Sequence, residues 1–214
     1  MPESSRVSPE PITAERIYHQ LKLDIMSGRF HPGVSVISQV VAAEYGTSVS
    51  PVRDAMHRLL GERLLRHHEG GGFEIPHVTA DELRSLYQWH DEIIRLAIRH
   101  RDASAAMDTA IEQRLEKLDG ENGLAIVQAT TEVFQTIARG SSNSEHAFAI
   151  AEIGGRLFTI RLSEHGLRDR KSELIAVWNG YVCGQESAIR DAIRAYHRRR
   201  MRRVPTIIDA LYAP

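Results

Sequence analysis

The feature that most restricts the fold is a run of short elements between Thr13 and Pro76 that ends on three adjacent glycines. From Thr13, a side chain suited to capping a helix, Ile17, Leu21 and Ile25 recur every four residues and predict a helix with one buried face, stopped at Gly28. His31-Pro32-Gly33 predicts a turn, and Ser38 then starts a short helix carrying Val40, Val41 and Ala42 that closes at Gly46. Ser50-Pro51 reads as a cap followed by a proline in the first helical position. The third helix then runs to about Arg63 and buries Val52, Met56, Leu59 and Leu60. Leu64 to His68 and Phe73 to Ile75 read as two short strands around the tip Glu69-Gly70-Gly71-Gly72, and Pro76 closes the unit. Three helices, the last two joined by a tight turn and followed by a hairpin, are the layout of a winged helix-turn-helix.

From Ala80 onward apolar residues recur at three and four, as in Leu83, Leu86, Tyr87, Ile94 and Ala97, which predicts helices only. Breaks are expected at Asp119–Gly123, Gly140–Ser144, His165–Asp169 and around Pro205, leaving six or seven helices between 80 and 213. The expected fold class is mainly α: an amino-terminal winged helix-turn-helix plus a carboxy-terminal antiparallel helical bundle. Residues 1–11, rich in proline and serine, read as a mobile tail, 12–78 as the winged domain and 79–214 as the helical domain. A chain of 214 residues can bury a core in each part without covalent staples. The lone Cys183 excludes an internal disulfide and fits a reducing compartment. Uncharged stretches such as Leu174 to Gln185 fall short of the roughly 20 residues a spanning helix needs, and the start lacks the pattern of a secretory leader. A cytoplasmic location without a membrane partner is therefore expected.

Charge alone does not select a function, because the formal net charge is −1 and residues 1–78 carry eight Lys/Arg against nine Asp/Glu. Placement does. The amino end of the third helix presents Ser48, Val49 and Ser50, where hydroxyls and free backbone N–H groups suit phosphate oxygens. Arg53 follows one turn later with a planar fork of donors that matches a guanine edge. Gly70 to Gly72 let a wing tip approach a sugar-phosphate backbone, and His67 and His68 flank it as donors. Singly, each feature is ordinary: a helix start, a surface arginine, a turn. Their order and spacing together point to a double-stranded DNA partner.

These residues also carry a family resemblance. Ile25-Met26-Ser27-Gly28-Arg29-Phe30-His31-Pro32-Gly33, Tyr45-Gly46-Thr47-Ser48-Val49-Ser50-Pro51-Val52-Arg53-Asp54-Ala55-Met56 and Leu59-Leu60-Gly61-Glu62-Arg63-Leu64-Leu65 are similar to stretches of the GntR transcriptional regulators. The nearest branch is the FadR-like one, with a helical carboxy-terminal FCD domain. The resemblance implies DNA contacts from Ser48, Ser50 and Arg53 and a wing contact near Glu69 and Gly70, with Ser38, Gln39, Val49 and His68 completing the interface. The sequence departs from the family at Val49 and Gln39, where arginine is usual or frequent, and at Arg63, where glycine is usual. Losing a basic side chain at position 49 implies an altered operator preference.

The carboxy-terminal half resembles the FCD domain more loosely, through Leu86-Tyr87-Gln88-Trp89-His90, Ser141-Ser142-Asn143 and Glu186-Ser187-Ala188-Ile189-Arg190-Asp191-Ala192-Ile193. Many such domains hold a divalent metal, but the corresponding positions fall on Thr131 and Gln135, or Thr130 and Phe134, and on Glu186 and about Ile208. That set does not supply the deprotonated donors a metal wants, so no metal and no cofactor are expected. The resemblance implies instead a small organic effector, with carboxylates and acyl thioesters the chemistry of the branch. Its candidate pocket residues are His90, Gln135, Arg156, Arg161, Asn179 and Glu186, and a buried salt bridge or an exposed helix face is the competing reading for the polar ones. Phe134, Phe158 and Trp178 read as core.

Arg194, Arg198, Arg199, Arg200, Arg202 and Arg203 with His197 form one dense basic run, either a solvated helix face or a source of non-specific DNA affinity. The sequence thus reads as an effector-responsive regulator, a repressor or an activator, working as a homodimer. Two rivals stay open: an interaction module that kept the winged fold without DNA binding, and an enzyme in the helical half. Against the enzyme, the chain has no recognisable Ser-His-Asp context, phosphate-binding glycine loop or paired metal ligands.

Overall fold

In the computed structural model, which describes residues 10–102 and 109–213, Leu21, Val52, Met56 and Leu59 are sealed from solvent where the first and third helices cross. The four-residue rhythm of the sequence is therefore the contact face of that crossing. The amino-terminal unit runs through His77 and comprises α1 (Glu10–Met26), β1 (Ser35–Val36), α2 (Ser38–Glu44), α3 (Val49–Gly61), β2 (Arg66–His67) and β3 (Phe73–Glu74). β3 is the central strand, antiparallel to both β1 and β2, with Val36 opposite Phe73 and Arg66 opposite Glu74. Fully burying side chains of this size is worth about 1.5–3 kcal/mol each.

Several local details differ from expectation. α1 begins at Glu10, earlier than Thr13 and inside the stretch read as tail, while residues 1–9 lie outside the described residues. α3 begins at Val49, so Ser48 takes the cap position and Ser50 is the second helical residue; the Ser48 side chain makes no capping hydrogen bond and stays free. β1 escapes sequence reading because its two residues lack the adjoining glycine tip that marks the equally short β2 and β3. The wing tip turns through Gly71 and Gly72 at φ of 91° and 88°, backbone that favours glycine. Arg63 adopts φ of 58° between α3 and the wing, so the chain keeps a left-handed turn there with an L side chain in place, at a cost of about 1–2 kcal/mol.

The unit from Val78 onward is a helical bundle of α4 (Ala80–Arg99), α5 (Thr109–Lys117), α6 (Gly123–Arg139), α7 (Glu145–Leu162), a 3-10 turn (Ser163–Gly166), α8 (Arg170–Val182) and α9 (Glu186–Leu211). α4 opens on a reciprocal cap, in which the Thr79 hydroxyl accepts from the Glu82 N–H and the Glu82 carboxylate accepts from the Thr79 N–H. Leu83, Tyr87, Ile94, Val133, Ile137, Leu157, Val177 and Ile193 form its core. The breaks expected at 119–123, 140–144 and 165–169 are present, but the one around Pro205 is not. α9 passes through Pro205 unbroken because Val204, Ile207 and Leu211 are buried on either side, while the proline faces solvent. That burial outweighs a lost backbone hydrogen bond and ring clash worth about 3 kcal/mol. Two breaks are unforeseen: one opens at His100, after α4, and the other lies at Cys183–Gln185, turned by Gly184 at φ of 66°. Just before it, Gly180 lets α8 and α9 touch, since a Cβ there would lie 2.9 Å from the Ile189 Cα.

Candidate nucleic-acid interface

The rigid base of the amino-terminal site is Phe73 of β3, buried at the foot of the wing. His67 of β2 stacks on its ring at 5.7 Å, and His57 of α3 meets it edge-on at 5.1 Å. Two histidines are thereby held at the walls of a cleft of about 490 Å³ between α3 and the wing. Its lining includes Ser38 and Gln39 at the start of α2, Arg53 on α3 and the wing glycines Gly71 and Gly72. Of the residues expected from sequence, Ser38, Gln39 and Arg53 thus meet in one place. Ser48 and Ser50 lie exposed at the amino end of α3 with Val49 half-buried, and none of these three lines the cleft. His68 is half-buried and serves the wing itself, its Nδ1 accepting from the Gly70 N–H at 3.0 Å, while Glu69 and Gly70 are exposed at the tip.

Charge pairing explains how a neutral unit can offer a cationic site. Lys22 binds Glu62 at 2.6 Å, Arg58 binds Glu15 at 2.5 Å and lies over the Tyr18 ring, Arg29 pairs with Asp24 and Glu44, and Arg66 pairs with Glu74. The Glu15 and Asp24 carboxyls lie below the usual range: for Glu15 the Arg58 hydrogen bond is the main cause, and for Asp24 burial pushes up but the Tyr45 and Arg29 hydrogen bonds prevail. Arg53 has no hydrogen bond or ion pair among the described residues and is exposed. Glu15, Asp24, Glu44, Glu62 and Glu74 are spent on structural cations, and Arg53 of the cleft is left without a carboxylate. His57 is the cleft residue that sequence reading passed over; its signal was its position one turn after Arg53 on the same helix face.

The helical unit concentrates its polar chemistry inside. His197 Nδ1 donates to the Ile193 carbonyl at 2.8 Å and faces Asp91 at 3.2 Å, which leaves its Nε2 to accept from His90 Nδ1 at 2.8 Å. His90 Nε2 in turn accepts from Arg161 Nη2 at 3.2 Å. Burial holds both histidines below their usual range, His90 well below and with the Arg161 charge adding to the effect. Arg161 is wholly buried, and its Nε and Nη1 have no hydrogen-bond partner, nor does the buried Tyr196 hydroxyl. Beside this lies a second cluster, in which Arg200 grips both Glu164 oxygens at 3.0 Å, Tyr87 donates to Glu164 at 2.5 Å and Arg200 reaches Glu173 at 2.8 Å. Burial pushes the Glu164 carboxyl up, but the Arg200 and Arg170 charges outweigh it and hold it below the ordinary range.

Of the candidate pocket residues, His90 and Arg161 are brought together. Gln135 is half-buried and donates to the Ala147 carbonyl at 3.1 Å, and Arg156 is half-buried. Asn179 and Glu186, expected inside, are exposed, Glu186 pairing with Arg190 across one helical turn at 3.4 Å. The basic run is not uniformly solvated either, since His197 and Arg200 are among its buried members. The positions corresponding to the branch's metal ligands do not fit a metal: Thr130 and Thr131 bond carbonyls of their own helix, and Phe134 packs edge-on against His90 at 4.7 Å. Among the described residues no group of three or more His, Cys, Asp or Glu side chains could hold an ion, and no helix is long and apolar enough to cross a membrane.

Residues 13–75, the segment that builds the cleft, match the family described as bacterial regulatory proteins, gntR family. That match lies wholly within the amino-terminal unit. An uncharacterized HTH-type transcriptional regulator of Bacillus subtilis, YdhC, is 32% identical over 104 residues, covering 49% of this chain and 44% of that protein, so the shared segment spans less than half of that relative. The gluconate operon transcriptional repressor of the same organism is 23% identical over 92% of this chain and 72% of its own. Among solved structures, a GntR regulator from Rhodococcus sp. RHA1 superposes with a TM-score of 0.73 at 16% identity, covering 90% of this chain and 97% of that one. Escherichia coli McbR/YncC superposes with 0.70 at 17% over the same shares. At these identities the structural likeness establishes the two-part fold, a winged helix-turn-helix followed by a helical bundle.

Proposed function

We propose that the chain is a sequence-specific DNA-binding transcriptional regulator of the FadR-like, FCD-bearing branch, with α3 read into a major groove and the wing laid along the backbone. The observation that carries this reading is the unpaired Arg53 in the cleft between α3 and a glycine-tipped wing, on a unit whose Lys22, Arg29, Arg58 and Arg66 are paired to carboxylates. Arg53 takes a base edge, Ser48 and Ser50 take phosphates, and Ser38, Gln39 and the wing side chains His67 and His68 position the duplex. The test is selection from random duplexes with the purified protein, followed by anisotropy on the enriched site. A discrete motif should emerge, and Arg53→Ala should weaken it by about 1–3 kcal/mol, with discrimination lost at one base position. Enrichment of no sequence would return the chain to the interaction modules.

The regulatory half of the reading rests on Arg161. A buried guanidinium whose Nε and Nη1 have no hydrogen-bond partner, beside a neutral histidine and an unsatisfied tyrosine hydroxyl, makes no direct ion pair, and the Glu164 carboxylate acts on it only from a distance. A carboxylate effector, seated at Arg161, His90 and Tyr196, supplies the direct partner. Such a ligand shifts operator affinity by preferring one arrangement of a homodimer. Trp89 on α4 and Phe148 on α7 are 49% and 69% exposed, apolar surface that a second copy would cover. Arg161→Gln should abolish the response to carboxylates while leaving operator binding in their absence unchanged. Light scattering that finds only monomer would remove the dimer from this scheme.

A further inference from the structure

We propose that the outer face of α9 is a second, sequence-independent contact for the phosphate backbone of double-stranded DNA, separate from the winged helix-turn-helix. Between Asp191 and Asp209 the helix carries six arginines and no acid. Arg200 is turned inward to Glu164 and Glu173, and Arg199 donates to the Arg168 carbonyl and sits 3.9 Å from Glu173. The remainder face outward. Arg198, Arg202 and Arg203 are exposed without a partner among the described residues, and Arg194 has only a loose contact with Asp191 at 3.6 Å. Arg198, Arg199, Arg202 and Arg203 wall a recess of about 300 Å³ floored by Ala195, whose small side chain leaves it open.

Left to itself this arrangement is unfavourable. Arg194, Arg198 and Arg202 are spaced i, i+4, i+8, and Arg199 and Arg203 repeat the spacing on the adjoining ridge, so like charges sit one turn apart three times over. Each such pair costs about 0.2–0.5 kcal/mol. The groups facing the stripe from α8 and the turn before it are Glu173, already held by Arg200, and Arg168, whose carbonyl rather than side chain takes Arg199. A linear polyanion resolves the repulsion. Successive arginines of one ridge are about 6 Å apart along the axis, a spacing comparable with neighbouring phosphates on one strand. Each guanidinium can grip a phosphate through two parallel N–H groups, which suits a backbone better than an isolated carboxylate patch. The use of arginine alone, with no lysine in the stripe, fits that chemistry.

The experiment measures binding of the full chain to a short duplex of random sequence as a function of salt, in the wild type and in Arg198→Gln/Arg202→Gln/Arg203→Gln, each also carrying Arg53→Ala. The second background removes the base contact assigned to α3, so a failure of that assignment leaves this result readable. The triple variant should lower the slope of log K against log salt by about 2–3 and weaken low-salt binding about tenfold or more, at a melting temperature equal to or slightly above that of the wild type. The corresponding lysine variant should keep most of the slope, because it keeps the charges. An unchanged slope in the glutamine variant overturns the proposal. So does loss of self-association in that variant with duplex binding intact, which would assign the stripe to an acidic face of a second copy. Binding to vesicles rich in anionic lipid with no change in duplex binding overturns it as well.

Discussion

The two units handle charge in opposite ways. The amino-terminal unit keeps its ion pairs near the surface, where they neutralise Lys22, Arg29, Arg58 and Arg66 and leave Arg53 available. The helical unit buries Glu164, Arg161, Arg170, Arg200, His90 and His197 and surrounds them with a continuous apolar core. Surface pairs contribute little to stability, at most about 1 kcal/mol each, and their value lies in what they leave unpaired. Buried pairs are different, because removing one partner strands the other in a medium that cannot solvate it. One unit should therefore tolerate changes at its charges with altered binding, whereas the other should lose stability wherever a Glu164 ion pair is broken.

The sharpest way to break this contrast is Arg200→Met, which strands Glu164. It should cost the helical unit about 3–5 kcal/mol in denaturant melts followed through Trp178, whereas Arg58→Met should cost the amino-terminal unit less than about 1 kcal/mol. Equal losses would show that the contrast is one of geometry only. Next comes Pro205→Ala, which restores a backbone donor inside α9 and should stabilise the same unit by about 3 kcal/mol. No gain would mean that α9 is already kinked in solution.

Acid provides the third test. Burial holds His90 and His197 below the ordinary imidazole value of 6.5, so the unfolded chain takes up protons there before the folded one does. Their contribution is complete above pH 6.5 and is lost as pH falls from there through the folded values, by at most about 1.4 kcal/mol per pH unit for each ring. His90→Gln should flatten the dependence of helical-unit stability on pH in that window; an unchanged curve would remove the buried pair from the account. The smallest effect belongs to Arg63→Gly, which relieves the left-handed backbone and should stabilise the amino-terminal unit by about 1 kcal/mol, seen as a rise in its melting temperature.

What the sequence revealed divides along the same line. Ile17, Leu21 and Ile25 announce their helix because their burial follows from a local period, and Gly70 to Gly72 announce a wing because the backbone requirement is local too. Arg53 was legible for the same reason, as one turn from a helix start. Glu164 with Arg200 was not: the partners are 36 residues apart, one sits in a 3-10 turn without periodicity, and the other is hidden in a run whose neighbours are exposed. Pro205 shows a local signal overruled by packing, and Asn179 shows that apolar neighbours in sequence do not fix which side of a helix a residue takes. β1 is as short as β2 and β3 but has no glycine tip beside it, so nothing local marks it as a strand.

The unbroken course of α9 has a mechanical consequence. His197 and Arg200 point inward, Arg194, Arg198 and Arg202 point outward, and all five ride on one 26-residue rod about 39 Å long. A rod cannot twist one side without the other. Whatever turns the inner histidine and arginine about the axis sweeps the outer row through the same angle, and a load applied to the outer row is felt at the inner pair. By reciprocity, two occupants held at these faces would report on one another through a common axle, without any chain of intermediate contacts.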